Sequence, residues 1–430
     1  MRNLLLVLAM ALLFLGCSSA TPKPKPNEKV FEQEDMLIMF ALDAELRKHF
    51  DAAAEYFNIL YEKSSRKEYR DRYYTNMLRA KRYEDVEKRI KTVLKEKEDE
   101  DNDIQLRRYL VAALVGEKKL EEAKPIAIDI AAKTKESRDY VVVSDIYVRQ
   151  ERFDTALKYL ESAYLIDYNE LILDKMAVVM FVNLQRKEEA IAQLESHSRL
   201  HGCSKVICGR LVGFYSAQND MDGLLNTYKR YYSEFHDSET AKAIIYIYSY
   251  RKDFVSLLQF LEETGENDDL LLKLYTNAKS YDKAIALADK LYKSEGDIVY
   301  LGQSAIFEFE GAKDKSDKAM LKSVISKLKK VVSEYDDALY ENYLGYIMID
   351  NGIDVKEGLI YVQRALKKEP DSPYYLDSLA WGYYKLKECK KADELMKRVV
   401  DDIGMEDEEV SKHVKAIGEC LKQGASHSKE

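Results

Sequence analysis

Apolar and polar positions alternate along this chain in a way that predicts pairs of helices. Segments with helical spacing of apolar residues end in short charged turns, and a small residue follows soon after each turn. Ala156 and Ala190 stand 34 residues apart in this position, and Ala284 and Ala392 repeat it further along. A fixed period of this length indicates a stack of helical hairpins, each packed on its neighbours. The pattern therefore predicts an all-α chain.

The repeat count is about eleven, because eleven positions mark the predicted second helix of each hairpin. Most steps between them are 33 or 34 residues, with irregular steps between residues 86 and 123 and between residues 257 and 325. A small side chain is expected at a marker because a large one would push the two helices apart. The markers are Ala53, Val86, Ala123, Ala156, Ala190, Gly223, Leu257, Ala284, Ile325, Gly358 and Ala392.

The first residues have the pattern of a bacterial export signal. A basic start at Arg2 precedes an apolar run over residues 4–15, which is too short to span a bilayer as a helix. A glycine and Cys17 follow, and this arrangement resembles the lipobox of bacterial lipoproteins, although Phe14 stands where that family usually has leucine. The resemblance implies cleavage after residue 16 and lipidation of Cys17. An ordinary secretory signal with an incidental cysteine is the alternative.

The remaining chain divides into three segments. Residues 17–35 hold the lipidated cysteine and a tether rich in proline and lysine, and alternating proline favours an extended polyproline II conformation. Residues 36–404 carry the hairpin pattern. Residues 405–430 predict a capping helix and a disordered tail, because a repeat stack needs a cap over its last apolar face.

Charge and hydropathy narrow the class of partner. The net charge is −9, whereas nucleic acid binding requires clustered lysine and arginine, so we expect no nucleic acid partner. No second apolar stretch approaches the ~20 residues that cross a bilayer, so we expect membrane attachment through the N-terminal lipid only. Serine, not aspartate, follows Cys17, which resembles the context for sorting to the outer membrane. The predicted location is that membrane, with the body facing the periplasm.

Two units near the C-terminus resemble the tetratricopeptide repeat. Asn-Tyr-Leu-Gly-Tyr at residues 342–346 begins one unit, and Asp-Ser-Leu-Ala-Trp at residues 377–381 begins the next. The resemblance implies a right-handed α-solenoid of about eleven hairpins with a C-terminal capping helix. The paired motifs also resemble the end of proteobacterial tetratricopeptide lipoproteins, a group that includes an adaptor of a periplasmic carboxyl-terminal processing protease.

Two cysteines near the middle of the chain are the most suggestive local chemistry. His197 and His201 precede Cys203 and Cys208, and these are ligand types that zinc accepts. Thiols of an exported protein oxidise, however, so a disulfide, free thiols and a metal site are all open, and we predict no metal.

A second cysteine pair lies near the C-terminus. Cys389 stands in the last hairpin turn and Cys420 in the predicted cap, where a bridge would attach the cap to the stack. The four cysteines that follow Cys17 allow three pairings, and the sequence does not choose between them.

Catalytic signatures are missing from the sequence. It contains no phosphate-binding loop, no His-Glu-x-x-His and no nucleophile elbow, so we expect no enzyme activity, no cofactor and no small-molecule substrate. In a tetratricopeptide stack the first helices line the concave face, and rigid aromatic residues there are typical binding anchors. The candidate groove residues are Tyr215, Tyr246, Tyr250, Asn342, Tyr346, Trp381 and Tyr384.

The leading hypothesis is an envelope lipoprotein that binds other proteins through this face. Its more specific form, implied by the resemblance, is an adaptor or scaffold for a processing protease and its substrates. The alternative is a structural or assembly component of an envelope machine, such as a pilotin or a part of outer-membrane protein assembly.

Overall fold

A computed structural model describes residues 29–96 and 103–427 of the chain. The predicted signal peptide, Cys17 and most of the tether therefore lie outside the described residues. Within the described part every regular element is a helix, and the chain forms two compact units. The first unit ends at Asp237 and the second begins at Ser238.

The described part of the first unit contains six consecutive hairpins. A short π-helical turn, Val179–Asn183, extends the first helix of the fifth hairpin. The helices are α1 (Glu34–Leu46), α2 (Phe50–Ser64), α3 (Lys67–Arg79), α4 (Tyr83–Glu96), α5 (Ile104–Gly116), α6 (Leu120–Thr134), α7 (Ser137–Arg149), α8 (Phe153–Asp167), α9 (Glu170–Val178), α10 (Lys187–His201), α11 (Lys205–Gln218) and α12 (Met221–Phe235).

The second unit contains five hairpins followed by a longer terminal helix. Its helices are α13 (Ser238–Tyr250), α14 (Phe254–Thr264), α15 (Asp268–Asn277), α16 (Tyr281–Glu295), α17 (Ile298–Gly311), α18 (Lys318–Glu334), α19 (Ala338–Asp350), α20 (Val355–Lys368), α21 (Pro373–Lys385), α22 (Cys389–Ile403) and α23 (Glu408–His427).

The predicted fold class is confirmed as an all-α repeat of tetratricopeptide-like hairpins with a C-terminal helix. Most of the marker residues stand at the fourth position of a second helix, as Ala156 and Ala190 do, and both are fully buried. Ile325 is an exception, since Leu321 takes the fourth position in α18. The segment at residues 312–317 sets the start of that helix and displaces the register that the sequence suggests.

The turn inside most hairpins has a recurrent backbone geometry. Lys48 and Lys81 adopt left-handed conformations with φ of 61°. The next residue closes the turn, since the His49 amide donates to the Ala44 carbonyl at 2.8 Å and the Arg82 amide donates to the Met77 carbonyl at 2.9 Å. This is the arrangement that ends many helices with a left-handed residue, here without glycine. A common turn gives successive hairpins a common geometry.

The helices α19 and α20 approach each other closely where glycine faces glycine. A methyl group on Gly345 would lie 2.6 Å from the Gly358 carbonyl oxygen, and one on Gly358 would lie 2.7 Å from the Gly345 carbonyl oxygen. Both atoms belong to backbone, which cannot move aside as a flexible side chain could. The α19–α20 crossing therefore requires glycine at both positions.

Successive first helices in the first unit are joined by ion pairs. Arg108 of α5 donates to both carboxylate oxygens of Asp139 in α7, at 2.9 and 2.6 Å. Each partner lies about one repeat from the other, so the pairs hold the spacing between neighbouring hairpins. The set comprises Arg70–Asp103, Arg108–Asp139, Lys175–Asp145 and Arg210–Asp174.

We predict that Gly358→Ala destabilises the second unit although alanine is the better helix former. Alanine gains about 1 kcal/mol over glycine in a helix interior, whereas a methyl group forced into a packed crossing costs about 1–3 kcal/mol. The matched control is Gly213→Ala in α11, where a methyl group meets nothing within 4 Å. Thermal unfolding with hydrogen exchange over α19 and α20 measures the effect. Equal stability of the two variants would contradict the crossing argument.

Candidate partner-binding face

The first unit carries an apolar cavity between two of its first helices. The cavity has a volume of about 340 Å³ and lies between α5 and α7, with α6 contributing Ile130. Val111 and Ile146 are buried in its wall, whereas Val142 is 38% exposed at its mouth. The volume lies at the lower end of the range for ligand pockets, so it suits a side chain better than a large ligand.

Charged groups surround this apolar cavity. Burial opposes ionisation of Asp139, but hydrogen bonds from Arg108 and Thr134 lower its pKa, so the carboxylate is ionised at neutral pH. The hydrogen bond to Asp139 raises the pKa of Arg108. Arg138 pairs with Glu136 at 2.6 Å, and Asp145 pairs with Lys175 at 2.9 Å. These four charges are largely neutralised by their neighbours.

Arg149 differs from the other charged residues of the cavity. It is exposed at the last position of α7 and makes no ion pair or hydrogen bond within the described residues. A cation in the last turn stabilises the helix dipole, which accounts for its place on the helix. It does not account for an unpaired guanidinium beside an apolar cavity.

A second depression lies on the other side of α5. It has a volume of about 480 Å³ and is lined by Leu78 and Tyr109 among others, and it shares Arg108 and Ala112 with the first cavity. Arg79 lines it from the last position of α3. We call the two depressions together the α5 groove. Sequence analysis missed this groove, although arginine at the end of two first helices, residues 79 and 149, was a signal that could have indicated it.

The seven candidate groove residues lie in different environments. Tyr215 in α11 is half-buried, and its hydroxyl donates to Glu195 at 2.9 Å. Burial and this hydrogen bond raise the pKa of the Tyr215 phenol. Its ring lies against Gly223, where a methyl group would collide with it. Tyr215 therefore packs between helices.

Tyr246 and Tyr250 are the most accessible members of the set. They lie one turn apart on α13, are 65% and 69% exposed, and their rings are near-parallel with centroids 6.3 Å apart. Neither hydroxyl has a hydrogen-bond partner within the described residues. Two large rings held in water at this angle form a flat aromatic surface that a partner can cover.

The terminal helix α23 covers the candidate residues at the C-terminal end. Trp381 is only 5% exposed, and its ring stacks on the His413 ring at 3.9 Å and on Tyr384 at 4.6 Å. The Trp381 indole donates to Asp350 at 2.8 Å, and His413 lies 3.0 Å from both oxygens of Asp377. The aromatic surface of α21 is therefore already occupied by the chain itself.

Two further candidates belong to α19. Tyr346 donates its hydroxyl to Glu409 of α23, so this residue is also engaged by the terminal helix. Asn342 is half-buried, and its side-chain oxygen is buried without a hydrogen-bond partner in the described structure. A role of these residues in binding an external partner stays a prediction.

The structure contains two disulfides. Cys203, in the turn after α10, is bridged to Cys208 in the first turn of α11, with their Cα atoms 5.6 Å apart. Cys389 and Cys420 are bridged with their Cα atoms 5.8 Å apart, which links α22 to α23. Residues 389 and 420 are 31 positions apart, so this bridge closes a loop that spans the last second helix.

The histidines near the first bridge make other contacts. His197 lies 3.3 Å from the Tyr164 hydroxyl and 3.2 Å from Glu170, and its ring lies 4.6 Å from that of His201. Among the described residues no group of three or more histidine, cysteine, aspartate or glutamate side chains is arranged to hold a metal ion. In the same part of the chain, none of the helices combines the length and apolar character that crossing a membrane requires.

Comparison with known proteins adds similarity at the level of the repeat only. No protein-family model and no curated protein matches the chain. It is similar to the crystal structure of the APC/C hetero-tetramer Cut9–Hcn1, with a TM-score of 0.42 and 9% identity over 90% of this chain and 97% of that one. It is also similar to a tetratricopeptide repeat protein from Parabacteroides merdae, with a TM-score of 0.27 and 14% identity over 57% of this chain and 98% of that one. The fold assignment rests on the helices of this chain.

Trp381, the single tryptophan of the chain, reports on the docking of α23. We predict that removing the Cys389–Cys420 bridge by serine substitution makes Trp381 more accessible to acrylamide quenching. A bridge that closes a loop of this length contributes about 3–4 kcal/mol, and its loss lets α23 detach more often. The matched control replaces Cys203 and Cys208 by serine and should leave quenching unchanged. Equal quenching in both variants would mean that packing alone holds α23.

Proposed function

We propose that this protein is a non-enzymatic scaffold that binds other proteins through the exposed faces of its first helices. The observation that carries the proposal is the exposed aromatic pair Tyr246 and Tyr250 on α13. Rigid tyrosine rings bury a large area on contact at little cost in side-chain entropy, and they are frequent binding anchors. The absence of catalytic motifs from the sequence supports a binding role.

We further propose that the protein is a lipoprotein of the bacterial outer membrane, anchored at Cys17 with its body in the periplasm. The apolar run, the following glycine and Cys17 support this, and the two disulfides suit an oxidising compartment. The specific role that we infer from the resemblance is an adaptor that brings substrates to a carboxyl-terminal processing protease. An assembly component of an envelope machine is the other outcome that partner identification can give.

Replacing the aromatic pair tests the scaffold. We predict that Tyr246→Ala with Tyr250→Ala reduces recovery of crosslinked partners from intact cells about tenfold or more, because anchor residues cost 2 kcal/mol or more when truncated. Tyr168→Ala is the control, since Tyr168 is 65% exposed but stands at the end of the second helix α8. Unchanged recovery in the double variant would remove the aromatic pair from the binding surface.

The identity of the recovered protein tests the adaptor. A stoichiometric serine protease, whose cleavage rate rises when the purified body is added, supports the adaptor. A protease rate that does not change on addition removes that role. Recovery of a multi-subunit envelope complex without a protease favours the assembly component.

Replacing Cys17 tests the anchor. We predict that Cys17→Ser moves the protein from the membrane fraction to the soluble periplasmic fraction and abolishes labelling by a fatty acid analogue. The reason is that attached acyl chains supply the membrane affinity, at roughly 0.8 kcal/mol for each buried methylene. Ser18→Ala is the control. Membrane association of the unlabelled Cys17→Ser protein would show that another part of the chain binds the membrane.

A further inference from the structure

We propose that the α5 groove binds an extended acidic segment of a partner protein, one in which large aliphatic side chains alternate with carboxylates. The inference rests on the proposed function, because it names the chemistry that one part of the scaffold recognises. It concerns the first unit, whereas the aromatic pair on α13 belongs to the second. The two surfaces can therefore be tested separately.

The apolar part of the ligand follows from the lining of the groove. The cavity between α5 and α7 has walls of valine, alanine and isoleucine, and Val142 is left 38% exposed at its mouth. A β-branched side chain on the exposed side of a helix gains free energy when an apolar group covers it, at about 25 cal/mol for each Å² removed from water. The volume of about 340 Å³ accommodates an aliphatic side chain together with adjoining backbone.

The charge of the ligand follows from which cations around the groove are already paired. Arg108 and Arg138 have carboxylate partners at 2.6 Å, and the two aspartates of the cavity are also paired. Arg149 has no partner in the described residues, and Arg79 contacts the Phe50 ring but no carboxylate there. The charges that remain for a ligand are therefore positive on both sides of α5.

This local charge is opposite to that of the chain as a whole, whose net charge is −9. A strongly acidic partner is repelled at long range and attracted only where the guanidinium groups of residues 79 and 149 can reach it. A segment that places carboxylates next to aliphatic residues suits both the apolar lining and the two arginines, because guanidinium recognises carboxylate with directed hydrogen bonds. The two depressions share Arg108 and Ala112, so an extended segment can place one side chain in each.

Fluorescence anisotropy with the purified protein, its disulfides formed, and labelled synthetic peptides tests this inference. One peptide alternates leucine with aspartate and glutamate, a second replaces the leucines by serine, and a third replaces the acids by lysine. We expect binding of the first peptide only. Equal binding of the serine peptide would reduce the interaction to non-specific charge attraction, and no binding of the first peptide at millimolar concentration would also overturn the proposal.

Charge reversal locates the site. We expect Arg149→Glu to weaken the leucine–acid peptide about tenfold or more, since a like charge now faces the carboxylate. Lys158→Glu is the matched control, because Lys158 is an exposed cation on the second helix α8 whose side chain has no partner within the described residues, and we expect less than a twofold change. Equal effects of the two variants would place the peptide elsewhere.

A second variant keeps the test independent of charge. Ala112→Trp fills the place that the two depressions share, and it should abolish peptide binding while thermal unfolding shows that the body remains folded. Self-association of the body that Arg149→Glu abolishes would make a second copy the occupant and would contradict the peptide. If the unsubstituted protein fails to bind the leucine–acid peptide but still captures partners through Tyr246 and Tyr250, the groove is rejected and the scaffold stands.

Discussion

The close approach of two helices in each hairpin is the constraint on which the rest of this structure depends. Where Gly345 faces Gly358, a single methyl group would strike backbone. Elsewhere alanines such as Ala156 and Ala190, fully buried at the same position, keep the two helix axes near. A close pair fills its own interior with small residues and leaves the outer face of the first helix free. That free face carries the inter-repeat ion pairs, the α5 groove and the aromatic residues.

Polar contacts between first helices then determine which side chains on that face are left without a partner inside the protein. Arg108 is held by Asp139, Lys175 by Asp145 and Arg210 by Asp174, so these three cations link neighbouring hairpins. The pairs of Arg108 and Arg210 are partly buried, and such pairs add little net stability but are costly to break. Arg79 and Arg149 therefore differ from these residues, because neither has a carboxylate partner among the described residues. The same logic separates Tyr215, which is engaged with Glu195, from the exposed Tyr246 and Tyr250.

The sequence was sufficient to predict the hairpins because one small residue marks the helix crossing in most of them. Alanine at 156 and 190 indicates the crossings, and the charged turns indicate the left-handed residues between helices. It was insufficient for the faces, since α21 and α19 have the phase of groove helices and yet carry Trp381 and Tyr346 beneath α23. Periodicity gives the direction of a side chain from its own helix, but it does not show which distant helix lies over it. The marker of α18 was predicted at Ile325 instead of Leu321 because the sequence of a loop does not show where the next helix begins.

The position of α23 shows what the aromatic surface at the end of the second unit accepts. The His413 ring lies flat on Trp381, and the Asp377 carboxylate holds the histidine from the side. A planar group over an indole gains from stacking as well as from burial. The surface is thus complementary to a helix that presents a planar side chain, and the chain supplies that helix itself, bridged through Cys420. Because this surface is covered and the α13 pair is not, the two groups of aromatic residues differ in environment: one completes the fold and the other stays exposed.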